Sequence, residues 1–370
     1  MSPQLSSHSG TPIRPSGTGM VTIGIPTFNR AGSVGRTIVS ALEQDHEPLE
    51  VLVVDNCSTD GTVELVAKLA AADPRVRLVR QPRNLGASVN FETALLEARG
   101  EFFMWLADDD WISPGYLRRC VEKLVTESHV VVVGRDFWHQ PQGPVQERDV
   151  VVVDRVAHTR ILNYLRRVTS GAAFYGVART ADLRRLLPLP RYIGGDWWWM
   201  LDLACRGTIS VCEDAELHRS IGGMSWDPQA VVEHFGLGWF PRHLPQAAIA
   251  LGVTRHLACS DHLTSIGGFP RRLAIAMRGG MIVCLRNGVI AELLTPVRRL
   301  VQRLIPPDVY ARLGLAYRPV RRCQVRLRTL AIAPPREAIA LLRSWIKASL
   351  LDPSRYRMAP GIEPCPSFSR

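Results

Sequence analysis

The sequence predicts an α/β protein whose mostly parallel sheet is covered by helices on both faces, and three observations predict it. Strand-like and helix-like segments alternate, with roughly 25 to 30 residues from one strand to the next. The strand-like segments are continuously apolar instead of alternating, as strands buried on both faces read. Polar residues gather just after the strands, where such sheets place their ligand crevice.

In chain order, residues 20–25 (MVTIGI) make a first strand closed by Pro26. Thr27, Phe28, Asn29 and Arg30 follow, then a helix carrying Ile38, Ala41 and Leu42. Residues 51–55 (VLVVD) make a second strand ending at Asp55. The turn after it, NCSTDG, offers Ser58, Thr59 and Asp60 as caps for a helix bearing Val63, Leu65, Val66 and Leu69. Residues 76–79 form a third short strand. Arg83, Asn84, Leu85 and Gly86 lead into a helix that runs to Ala98 and is stopped by Gly100. The fourth strand, 102–106, runs into Asp108, Asp109 and Asp110. Ser113 and Pro114 start the next helix, 116–125, and a fifth strand follows at 130–133.

The aspartate triplet organises the reading. Carboxylates this close repel one another unless a cation sits among them. Hard oxygen ligands suit Mg²⁺ or Mn²⁺, held together with substrate phosphates. Taken alone, the same residues equally suit a solvated acidic turn at a helix start. The ends of strands one and two also hold Thr27, Asn29, Arg30, Asp55 and Asn56, and polar residues at all three strand ends are hard to explain as packing. The chain has no GxGxxG after its first strand, no GxxxxGK[ST] and no GxSxG. Nucleotide phosphates would therefore be held by a metal and side chains, not by a glycine loop.

Residues 170–177 (SGAAFYGV) read as an edge strand or strand-turn. Gly194 and Gly195 open a helix with Asp196, Trp197, Trp198 and Trp199, and Gly207 ends it. Asp196 is placed at the N-cap, either capping the helix or serving as a general base beside an aromatic wall. Neighbouring helical side chains point about 100° apart, so three successive tryptophans cannot all enter the core and at least one should face a cleft. Met200 reads as core.

The chain of 370 residues suits two domains, or one large α/β domain with an extension. Its net charge of +11 is uneven: from Pro241 onward there are 21 Lys+Arg against 6 Asp+Glu, and before it 24 against 28. Eight cysteines with no CxxC pair exclude a zinc-knuckle spacing and a small disulfide scaffold, and suit a reducing cytoplasm. Residues 1–19 are Ser/Gly/Pro-rich without an apolar stretch and read as a disordered leader, not a signal peptide. The most apolar long window, 273–294, is broken by Arg278, Arg286 and Glu292, so a spanning helix is not expected.

Five motifs in order resemble the family 2 glycosyltransferases with the GT-A fold. They are the first strand with Thr27–Arg30, VLVVDNCSTDGT, Arg83-Asn84-Leu85-Gly86, WLADDDW and the Gly195-Asp196 helix start, and the likeness spans residues 20–225. The resemblance implies that Thr27, Asn29 and Arg30 lie beside the nucleotide. It implies that Asp55 accepts from the base and that Arg83 and Asn84 lie near the nucleotide. Asp108 would lie near the ribose, Asp109 and Asp110 at a divalent Mg²⁺ or Mn²⁺ and the diphosphate, and Asp196 would be the general base. Where relatives often carry a first aspartate, this chain has Ala107, which leaves open which carboxylates bind metal. His218, read as lying in a loop, is either a third metal ligand or phosphate donor, or a plain surface histidine. The implied reaction is an inverting transfer from a nucleotide-sugar to a hydroxyl of a saccharide or lipid-linked acceptor, in surface polysaccharide or glycolipid synthesis. The rivals are a nucleotidyltransferase on a similar fold, which usually carries a glycine-rich loop after its first strand, and a non-catalytic scaffold.

The resemblance fades after Phe240. The expected organisation is a leader over 1–19, the transferase domain over 20–240 and a basic, mainly helical region over 241–370. Arginine pairs at 271/272, 298/299 and 321/322 lie among Leu, Ile and Val, and Val297, Leu300, Val301, Leu304 and Ile305 share a helical face; 338–351 repeats the style. Such helices either rest on an anionic membrane surface or pack on the domain with solvated arginines. Nucleic-acid binding lacks its aromatic interleaving and motifs. The expected location is cytoplasmic, peripheral on the inner face of the membrane under the first of these readings.

Overall fold

The computed structural model describes residues 19–148, 150–169, 171–221, 228–289 and 292–293. The readings for residues 1–18 and for the helical faces at 297–305 and 338–351 lie outside the described residues. The elements run β1 (Val21–Thr27), α1 (Val34–Leu42), β2 (Leu49–Asp55), α2 (Thr62–Ala72), β3 (Val76–Arg80), α3 (Ala87–Glu97), β4 (Phe102–Trp105), β5 (Trp111–Ile112) and α4 (Tyr116–Thr126). They continue β6 (Val131–Gln140), β7 (Gly143–Gln146), α5 (Ala157–Arg167), β8 (Val177–Arg179), α6 (Thr180–Arg184), α7 (Gly195–Arg206), β9 (Ile209–Ser220), α8 (Pro228–His234), α9 (Trp239–His243), α10 (Pro245–Cys259) and α11 (Phe269–Asn287).

One sheet takes the order β3-β2-β1-β4-β8-β6-β9-β5, with β7 on β6. β3, β2, β1 and β4 run parallel to one another, as do β6 and β9, while β8 runs antiparallel between β4 and β6, β7 antiparallel to β6 and β5 antiparallel to β9. Every residue of β1 and β2 is buried, which is why their centres, residues 23–26 and 51–54, read as apolar runs. Each Val or Ile sealed this way stabilises the fold by about 1.5–3 kcal/mol relative to exposure. The strand ends are therefore rigid platforms for the loops beyond them.

Three sequence expectations change. Over residues 171–177 the expected edge strand is replaced: Ala172–Tyr175 is a short 3-10 turn, and β8, which begins at Val177, lies inside the sheet. A three-residue strand can sit there because β4 and β6 supply both neighbours. Asp196 is not the N-cap of α7. That position is Gly194, whose φ of +73° suits glycine, and Asp196 falls in the first turn. The fifth strand is longer than 130–133 and bends through a register shift after Gly134.

The tryptophans divide as helical spacing requires. Trp199 is 1% exposed, packs on Trp105 and Phe174, and donates its Nε1–H to the Leu186 carbonyl at 3.0 Å. Trp198 stacks between Tyr192 and His256, and Trp197 is half-buried. Met200 is buried, as expected. The described cysteines are all free. None of the described helices is long and apolar enough to cross a membrane. The chain divides into two compact units, residues 1–284 and 285–370; α10 and most of α11 belong to the first.

Candidate active site at the strand ends

The loop after β1 is stitched to the turn after β2. Asn29 takes a left-handed backbone (φ 54°), a conformation Asn tolerates better than most residues. Its N–H donates to Ser58 Oγ at 2.8 Å, and its Oδ1 accepts from Thr59 N–H at 2.8 Å. Arg30 N–H donates to Thr62 Oγ1 and Ala31 N–H to Asp60 Oδ2. The Ser58–Asp60 turn therefore serves mainly the neighbouring loop, and the N-cap of α2 is Gly61 with no side-chain cap bond. Asn56 extends the stitching: its Nδ2 donates to Asn84 Oδ1 at 2.9 Å and its Oδ1 accepts from Leu85 N–H. Asp55 is buried, with Oδ2 accepting from Ser58 N–H and Oδ1 left without a protein partner. A buried unpaired acceptor is costly, and a ligand donor would relieve it. Arg83 is exposed and makes no ion pair among the described residues.

β4 delivers the aspartates into a tight turn closed by Asp110 N–H donating to the Ala107 carbonyl at 3.0 Å. Asp108 Oδ1 lies 3.4 Å from Arg30 Nε, joining β4 to the loop after β1. Burial pushes the Asp108 carboxyl up to about 6, against the opposing pull of Thr27 and Arg30. Asp110 is 3% exposed; its Oδ1 accepts from Ser220 N–H at 2.9 Å and its backbone carbonyl from Thr37 Oγ1. Burial pushes it up to about 7, and the nearby Arg219 guanidinium pulls the other way. The Asp109 carbonyl accepts from Arg36 Nη2 at 2.7 Å and Ser220 Oγ at 2.6 Å. No hydrogen bond or ion pair holds the Asp109 carboxylate among the described residues.

Arg219 was invisible in the sequence, one charged residue in the run EDAELHRS. It is 5% exposed, with Nε 3.7 Å from Asp110 Oδ2 and Nη1 3.6 Å from Asp136 Oδ2. Its guanidinium lies 4.0 Å over the Trp138 ring and 5.0 Å over that of Tyr175. Asp196 is half-buried in the first turn of α7, and burial raises its carboxyl above the usual range while Arg219 pulls it down. A Cβ on Gly171 would stand 2.8 Å from Asp196 Oδ2, so only glycine leaves room for that carboxylate. Burial pushes the Tyr175 hydroxyl well above its usual range, and the group feels Arg219, Asp110, Asp196 and Asp109 together. Asp196 and the triplet therefore share one polar region.

His218 is corrected: it lies in β9 opposite Trp111, not in a loop. Its ring stacks on Trp111, with Nδ1 3.1 Å from His139 Nε2 and Nε2 3.4 Å from Glu216 Oε2. Both ring nitrogens are engaged away from the aspartates, because pairing of β5 with β9 turns the side chain to that face.

The residues present fit a divalent cation of the kind the resemblance implies. Among the described residues no three His, Cys, Asp or Glu side chains come together as a complete ligand set. One carboxylate without a protein partner among the described residues, Asp109, beside two buried acids is a donor set of the hard-oxygen kind that suits Mg²⁺ or Mn²⁺ together with substrate phosphates.

Residues 22–182 match the model of the family described as Glycosyl transferase family 2. The motif resemblance is borne out over that segment; the Asp196 helix start lies beyond it. The chain is similar to the succinoglycan biosynthesis protein ExoO of Rhizobium meliloti (strain 1021), 42% identical over 103 residues, 28% of this chain and 29% of that one. It is 34% identical over 111 residues to the GalNAc(5)-diNAcBac-PP-undecaprenol beta-1,3-glucosyltransferase of Campylobacter jejuni, covering 30% of this chain and 36% of that one. The matched segments thus span about a third of the length of these relatives. The crystal structure of S. aureus TarS 1-349 superposes with a TM-score of 0.51 at 18% identity, over 87% of this chain and 83% of that one. That likeness fixes the fold alone, and the fold is GT-A-like, as the motifs implied.

Proposed function

We propose that this chain, a glycosyl transferase family 2 protein over residues 22–182, moves a sugar from a nucleotide-sugar donor to a hydroxyl acceptor with inversion at the anomeric carbon. The acceptor would be a saccharide or lipid-linked saccharide in surface polysaccharide or glycolipid synthesis, the setting that the names of relatives such as ExoO suggest. The observation that carries the proposal is the convergence of the ends of β1, β2 and β4 with Asp196 on one polar region. A non-catalytic scaffold has no need for so many buried and half-buried acids in one place.

In this reading Asp55 accepts from the nucleotide base through its unpartnered Oδ1, and Thr27, Asn29, Arg30, Arg83, Asn84 and Asp108 line the rest of the donor site. Asp109 would hold the cation together with Asp110, whose oxygens also face Ser220 and Arg219. Mg²⁺ or Mn²⁺, when bound there, would supply neutralisation of the diphosphate leaving group. Asp196 takes the proton from the attacking acceptor hydroxyl, and its raised carboxyl makes it a stronger base near neutral pH. Attack opposite the departing diphosphate inverts the sugar in a single displacement.

Calorimetric titration of the purified chain with a panel of nucleoside diphosphates and nucleotide-sugars tests the donor site. One nucleotide is expected to bind with Mn²⁺ and to lose about tenfold or more in affinity with chelator or in Asp109→Ala. Folded protein that binds none of the panel would overturn the reading.

A further inference from the structure

We propose that the outward face of α11 is a membrane-contact surface, taking the headgroup region of a bilayer that carries anionic lipids. The inference does not depend on the sugar-transfer reading, because it uses a different part of the molecule.

The inward face of α11 is fixed by close packing. A Cβ at Gly279 would stand 2.6 Å from Leu257 of α10 and 3.0 Å from Leu165 of α5, and one at Gly280 would collide with Thr254. Ile275, Ala276, Ile282 and Val283 are buried on the same side. With its rotation set, the helix turns Phe269, Leu273, Met277 and Met281 outward, exposed by 55, 39, 62 and 62%. Four-residue steps advance about 40° around a helix, so these side chains form one stripe. Folded proteins rarely leave a contiguous apolar stripe without a use for it.

The charge beside the stripe selects its occupant. Arg271 and Arg278 are exposed along its edge, and Arg255 is exposed on α10. None of these three makes an ion pair among the described residues. Neither α10 nor α11 contains an Asp or Glu. Arg166 of α5 lies near Arg278, and after burial the charge of Arg278 is what most lowers its pKa. Asp154 offsets part of that effect at Arg166, and two guanidiniums near one another suit a phosphate-bearing partner. Flexible Leu, Met and Phe side chains beside arginines, on a 19-residue helix that does not span, match an amphipathic helix lying in the interface plane. Its apolar face enters the acyl boundary while the arginines reach lipid phosphates.

Co-sedimentation of the whole chain with vesicles tests this, using phosphatidylcholine alone or with about a third phosphatidylglycerol. Binding is expected on the anionic vesicles, about tenfold weaker on the neutral ones, and reduced by high salt. The triple variant L273E/M277E/M281E should lose about tenfold in vesicle affinity, and R271E/R278E a similar amount, with unchanged circular dichroism and nucleotide binding. All three apolar positions are exposed, so the fold tolerates glutamate there. The proposal is overturned if wild type ignores anionic vesicles or if the triple variant binds them as wild type does. It is also overturned if light scattering shows a dimer that the triple variant breaks, which would make a second copy the occupant.

Discussion

Around Asn29 the backbone donors of one loop meet two hydroxyls and a carboxylate of the next, and the Asn29 amide oxygen accepts from Thr59 N–H in return, all at ordinary hydrogen-bond distances. Around Arg219 the contacts are long, the groups are charged, and almost no water reaches them. The first region lies at the ends of β1 and β2, the second where β9 and α7 meet the aspartate turn. The difference teaches how labour is divided. Mostly exposed or half-buried local bonds hold a platform of fixed shape at modest cost. Buried charges cost far more to assemble, and they are kept where charge itself has a task.

Breaking the charged region should have the larger effects. Asp196→Asn removes the base while keeping the side chain's shape, and turnover should fall by about 10² to 10⁴ with nucleotide affinity intact. Initial rates and calorimetry on the same preparation check this, and an unchanged rate would remove Asp196 from the chemistry. Next comes Arg219→Met, which leaves Asp110 and Asp136 facing a guanidinium that is gone. A loss of about 3–5 kcal/mol in urea unfolding is expected. A loss under about 1 kcal/mol would mean that the carboxyls are already neutral in the fold and the contrast between the regions is shallower. In the stitched region Ser58→Ala deletes one exposed bond to Asn29, and the same measurement should register only about 0.5–1 kcal/mol.

The two regions also differed in how well the sequence announced them. β1 to β4 were legible because each is a continuous apolar run followed by polar residues, a pattern that lives within a few neighbours. The donor-site candidates were found there for the same reason. β5 has two residues and β8 three, too short for any periodicity. The placement of Arg219 depends on Asp110 and Asp136, far away in the chain and brought near only by β6 pairing with β9 and by the Ser220 bond to Asp110. Asp196 was found by its motif but misplaced by two residues, because two glycines open α7 and the first of them takes the cap.

The sheet order has a consequence for the moment of synthesis. β4 leaves the ribosome with one edge paired to β1, but β8, its partner on the other edge, comes about 70 residues later. At elongation rates of about 5–20 residues per second, the fully apolar Phe102–Trp105 edge stays unclosed for roughly 4–15 seconds. The aspartate turn waits longer still, until Arg219 and Ser220 have been made. A nascent chain of this protein should therefore be most prone to sticking to its neighbours when it is between about 110 and 180 residues long, and slowing translation in that interval should lower the yield of folded protein more than slowing it elsewhere.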